Sequence, residues 1–119
     1  MDAELDPEDA KIITLARSAR ARAQARTGAA VRDETGRTYA AVDVALASFA
    51  VSALQLVVAT AVSSGATRLE AAAIVADAAD AAADPDLAAA WDLAAAHVLL
   101  AAPDGTLLRS RPNPGPASA

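Results

Sequence analysis

Apolar positions along this chain change period several times, and each change marks an element. Between Asp6 and Ala25, Ile12, Ile13, Leu15, Ala16, Ala19 and Ala23 recur at the spacing of one helix face. Asp6 can cap that helix and Pro7 suits its first position. Glu8 and Asp9 sit at the positive end of its dipole, while arginines gather toward the other end. From Gly28 to Val42, two short apolar runs flank the polar stretch Asp33-Glu34-Thr35-Gly36-Arg37. That pattern predicts a β-hairpin with Gly36 at positive φ. From Val44 to Thr67 the chain carries no charge. Ala and Leu favour helix and apolar residues fall on every side, so a central helix buried all round is expected from about Ala45, closed by Gly65.

Beyond that helix the pattern is ambiguous. Residues 67–83 are rich in alanine and include Glu70, which favours helix. Ile74-Val75 between alanines fits a short buried strand equally well, and periodicity cannot choose for so short a run. Asp84-Pro85 predicts a further helix, with Asp84 as cap, reaching about Ala96 and burying Leu87, Trp91 and Leu93. His97 to Ala101 reads as a strand, Pro103-Asp104-Gly105 as a turn, and Thr106-Leu107-Leu108 as the returning partner. Residues 109–119 hold three prolines and a glycine and are expected to form a disordered tail, leaving residues 1–108 as one domain.

Composition narrows this picture. Of 119 residues, 55% are hydrophobic but only 3% aromatic, so the core must be built from Ala, Val and Leu around Tyr39, Phe49 and Trp91. Small side chains bury less area each, which makes self-association attractive. A net charge of −5 argues against nucleic acid as partner, because phosphate contacts need clustered cations. Arg17, Arg20, Arg22 and Arg26 are the local exception and read as one solvated helix flank, with an anion or partner contact as the alternative. The absence of cysteine removes disulfides, thiolate metal sites and thiol nucleophiles. The uncharged run is long enough to span a bilayer, but Ser48, Ser52, Gln55, Thr60, Ser63 and Ser64 dilute it and no basic or aromatic flank anchors it. No membrane association is expected, and the acidic N-terminus without a leader pattern points to the cytoplasm.

Individual residues offer little chemistry. His97 is the sole histidine, and no Ser/His/Asp set assembles around it. Ser52 sits in an Ala-rich helical pattern where a hydroxyl usually bonds the preceding turn. Asp43, Asp77 and Asp86 could approach one pocket, though strand-end and cap roles account for each separately.

The order helix, hairpin, buried helix, strand, helix, strand, strand resembles the cytidine deaminase family. Particular residues carry the likeness over roughly residues 8–108. Gly28-Ala29-Ala30-Val31 with Asp33 to Arg37 resembles its Val-Gly-Ala-Ala stretch and Asp-Gly-Arg turn. Asp43-Val44 falls at its Asn-Val-Glu-Asn-Ala-Ser-Tyr segment. Ala61-Val62-Ser63-Ser64-Gly65 resembles the end of its active-site helix, and Ala73 to Asp77 its following strand. The resemblance implies an α/β fold, a three-layer α/β/α sandwich with a mixed sheet of about five strands and a central buried helix.

What the resemblance implies for chemistry is missing here. Family members hold zinc through a Cys-Ala-Glu motif and a Pro-Cys-x-x-Cys motif, the Glu relaying protons for the metal-bound water. Counting back from Gly65 puts the first motif on Ser52-Ala53-Leu54. Counting forward from Gly28 puts it on Leu54-Gln55-Leu56. The second falls on Pro85 to Ala89, with Asp86 and Ala89 in place of the thiolates. Ser52, Leu54, Asp86 and Ala89 are thus vestigial positions, and Asp43 is a candidate ligand contact. The implied reading has no catalytic residues, no metal and no cofactor: a non-catalytic, homo-oligomeric scaffold or partner-binding protein, assembling through the helix around residues 45–64. A metal-free nucleoside or nucleotide sensor is the alternative. An active zinc deaminase comes third, since neither Cys nor the catalytic Glu is present.

Overall fold

The structure, a computed structural model, describes residues 5–77, 80 and 85–115. Helix α1, Pro7–Ala23, starts as its sequence requires, with the Asp6 carboxylate accepting the Glu8 N–H at 2.8 Å. It buries Ile12, Ile13, Ala16 and Ala19, while Ala23 lies exposed beside a left-handed Gln24 at φ 52°. Strands β1 (Thr27–Asp33) and β2 (Thr38–Val42) form the expected hairpin, with Gly36 at φ 87°.

The central helix is shorter than its composition suggests. Helix α2 runs over Ala53–Ser63, and the preceding residues fold into a separate hairpin, β3 (Val44–Leu46) with β4 (Phe49–Val51). The cause is a local signal that outweighs alanine's helix preference. Ser52 Oγ accepts the Gln55 N–H at 3.0 Å and Gln55 Oε1 accepts the Ser52 N–H at 3.2 Å, a reciprocal box that starts the helix there. The helix is not buried all round either. Ala53, Leu54, Val57, Val58 and Ala61 face inward, whereas Gln55, Ala59, Thr60 and Val62 face solvent. Its end is as expected: Gly65 takes φ 105° and the Ala66 N–H returns to Ala61 O at 2.9 Å.

The ambiguous alanine stretch is a strand, β5 (Leu69–Ala76), pairing antiparallel with β1 and parallel with β6 (His97–Ala101). Every residue of it except Glu70 is buried, so sheet pairing and burial on both faces override helix propensity. The helix after it is α3, only Ala88–Asp92, and the proposed Asp84 cap lies outside the described residues. Strand β7, Leu107–Pro112, pairs with β6 as far as His97 opposite Pro112. Residues 109–112, expected in the tail, therefore belong to the sheet; alternating Arg109, Ser110 and Arg111 form a solvated edge strand before Pro112 ends donation.

The five-stranded sheet has the order β2-β1-β5-β6-β7. Strand alternation divides its side chains between two cores. Ala29, Val31, Ala72, Ile74, Val98 and Leu100 pack against α2 and α3, while Ala30, Ala73, Val75, Leu99 and Ala101 pack against α1. This is the expected mixed sheet between helical layers.

Candidate functional site

Four of the five singled-out positions meet in one cavity. Asp43 follows β2, Ser52 and Leu54 open α2, and Asp86 precedes α3; together with Thr27 and Ile74 they line a space of about 270 Å³. Ala89 does not line it, but packs half-buried against the core on the α2 side. Gln55 and Pro85 also border the cavity.

Backbone N–H groups engage one oxygen of each polar side chain singled out here. Asp43 Oδ1 accepts the Thr27 N–H at 2.9 Å, which pins the chain leaving β2 to the start of β1. Asp86 Oδ1 accepts the Ala88 N–H at 3.0 Å and so opens α3. Ser52 Oγ serves as the helix cap, accepting the Gln55 N–H, and no His, Lys or carboxylate is hydrogen-bonded to it among the described residues. Leu54, only 2% exposed, supplies part of the apolar floor with Ala53 and Ile74.

This donor set does not fit zinc. Zinc takes thiolate, imidazole or carboxylate ligands converging from three or four side chains. Around the cavity stand two carboxylates, each with one oxygen committed to a backbone N–H, a committed hydroxyl and an amide. Among the described residues no three His, Cys, Asp or Glu side chains come close enough to hold a metal.

His97 belongs elsewhere, in a network around the buried Asp9 and Arg32 side chains that sequence reasoning missed. Its Nε2 lies 2.9 Å from Asp9 Oδ2, Asp9 Oδ1 lies 3.1 Å from Arg32 Nη2, and Arg32 Nε donates to Glu70 Oε1 at 2.8 Å. Desolvation opposes the Arg32 charge, but its bonds to Glu70 and Asp9 outweigh this and raise its pKa above the ordinary value. A signal was present in the sequence: Asp9 stands three and four residues before Ile12 and Ile13, on the buried stripe of α1. Three arginines of the basic run, two on α1 and Arg26 beyond its end, also have structural partners. Arg17 Nε donates to Pro103 O at 3.0 Å, Arg20 pairs with Asp77 at 3.1 Å and Arg26 with Asp80 at 2.8 Å, so Asp77 stays away from the cavity.

Comparison with known proteins agrees with this architecture. Residues 5–105 match the model of the family described as cytidine deaminase-like. The chain belongs to that family. Among solved structures, this cytidine deaminase-like protein is similar to cytidine deaminase from Burkholderia pseudomallei, at 19% identity and TM-score 0.69, covering 87% of this chain and 91% of that one. It is also similar to a mutant cytidine deaminase from Mycobacterium tuberculosis, at 21% identity and TM-score 0.66, covering 97% and 100%. Cytidine deaminase from Mycobacterium leprae follows at 19% identity and TM-score 0.61, covering 87% and 93%. No curated protein matches. At these identities the likeness establishes the fold. Among the described residues, no helix is long and apolar enough to cross a membrane.

Proposed function

We propose that this cytidine deaminase-like protein is non-catalytic and works by assembly, as a homo-oligomer or partner-binding scaffold. One observation carries the reading. The stretch from Val44 to Thr67 has no charged side chain in a chain of net charge −5, and it leaves Leu46 65%, Phe49 53% and Val62 48% exposed. Large apolar side chains standing free in an uncharged segment favour association. The expected interface moves accordingly from a helix over residues 45–64 to the β3–β4 hairpin and the outer side of α2. Leu54 and the capping role of Ser52 support the non-catalytic part, since neither can relay a proton or hold a metal.

Light scattering on the purified protein at micromolar concentrations tests this. A mass at a multiple of 11.9 kDa is expected, reduced by Leu46→Asp with Phe49→Asp while the fold is kept. A monomer throughout overturns self-association, and stoichiometric zinc with cytidine deamination overturns the non-catalytic reading.

The cavity favours a second reading, in which the chain binds a small ligand without metal. About 270 Å³ of space with an apolar floor and two carboxylate residues in its lining approaches the size of small-molecule pockets.

A further inference from the structure

We infer that this cavity receives a small organic cation, a primary amine or amidine on an apolar body, held between Asp43 and Asp86. The inference rests on the ligand-binding reading and specifies its chemistry. Two carboxylates face a space that no basic side chain enters. All ten Lys and Arg residues and the one His lie among the described residues, and none lines the cavity. Arg26, next along the chain to the lining residue Thr27, is already paired with Asp80 at 2.8 Å.

Each carboxylate keeps an acceptor in hand. Asp43 and Asp86 commit Oδ1 to the Thr27 and Ala88 N–H groups, and among the described residues neither Oδ2 has a hydrogen-bond partner. A charged N–H donor is the strongest complement to a carboxylate oxygen; Asp43 is half-buried beside an apolar wall, while Asp86 stands at the exposed rim. Ala53, Leu54 and Ile74 form that wall and exclude a strongly hydrated metal cation, which would demand six or more oxygens. The volume of about 270 Å³ admits a single ring with a short cationic arm.

Calorimetric titration with matched pairs tests the proposal: benzylamine against benzyl alcohol, and benzamidine against benzamide. Each cation is expected to bind at least about tenfold more tightly than its neutral twin, with the advantage shrinking as salt is raised. Asp43→Asn keeps an oxygen for the Thr27 N–H and should remove most of that advantage; Asp86→Asn should do so independently. Circular dichroism verifies that each variant is folded. Equal binding of the neutral twins overturns the charge assignment while leaving the cavity as a ligand site. Saturable binding of none of the four compounds overturns both, and cation affinity unchanged in both folded variants places the binding elsewhere.

Discussion

Two single residues show how tightly the sheet and its first helix depend on side-chain identity. Gly28 lies where α1 crosses β1, and a Cβ there would sit 2.2 Å from the Ala16 carbonyl oxygen and 2.9 Å from the Arg20 Cβ. The strand cannot retreat, because Gly28 is held in register opposite Val42 on one side and Val75 on the other. Gly28→Ala should therefore cost about 3 kcal/mol, at the upper end of overpacking effects. A urea titration that finds less than about 1 kcal/mol would show that the helix shifts freely. Asp33, only 2% exposed, closes the hairpin by accepting the Thr35 and Arg37 N–H groups and the Thr35 and Tyr39 hydroxyls. Desolvation pushes its pKa up, but those four hydrogen bonds prevail and lower it. A carboxyl lowered on folding contributes stability above its unfolded pKa of about 3.9, lost as pH falls through the folded value. Thermal midpoints of Asp33→Asn should thus lie below wild type at pH 7 and converge with it toward pH 2. A gap constant over that range would deny the carboxylate its role.

At the scale of elements, what was legible followed from strong local signals. Asp6-Pro7 marked the start of α1, Gly36 the first hairpin and Gly65 the end of α2, because Pro7 has a fixed φ that suits a first helical position and glycine alone takes the positive φ of such turns without a steric cost. Where alanine dominates, local preference misleads. The run Glu70 to Ala76 would favour helix in isolation, yet it lies at the middle of the sheet with neighbours on both edges. The start of α2 was readable in principle, since Ser52 and Gln55 stand at capping-box spacing, but eight uncharged residues before them mask the break. The cavity was readable in its members and not in its boundary. Asp43, Ser52, Leu54 and Asp86 line one cavity and Ala89 does not, while Thr27 and Gln55 join through the backbone geometry of neighbouring elements. No spacing rule in the sequence connects Asp9, Arg32, Glu70 and His97, which come from four separate elements.

At the scale of the whole molecule, that network ties the first helix to the sheet through charge. It joins α1 to β1, β5 and β6 across the sheet's α1 side, where the remaining core is mostly small: Ala16, Ala30, Ala71, Ala73 and Ala101 with Ile12, Ile13, Val75 and Leu99. The Asp9 and Arg32 side chains are only 10% and 11% exposed, and Asp9 Oδ1 and Arg32 Nη1 lack hydrogen-bond partners of good geometry. A buried pair of this kind owes little to its own attraction and much to the penalty for breaking it. Asp9→Leu, which strands the Arg32 guanidinium beside Glu70 alone, should therefore destabilise by about 3 kcal/mol, and Arg32→Met, which strands Asp9, by a similar amount. The double variant replaces both charges with apolar volume next to Ile12 and Ile13, and it should cost clearly less than the sum and less than either single change. Glu70 and His97, being 43% and 30% exposed, can return to water when their partners leave. Denaturant midpoints for the four proteins of this cycle separate the possibilities. Additive losses would mean that Asp9 and Arg32 contribute independently, and that their pairing is not what ties α1 to the sheet.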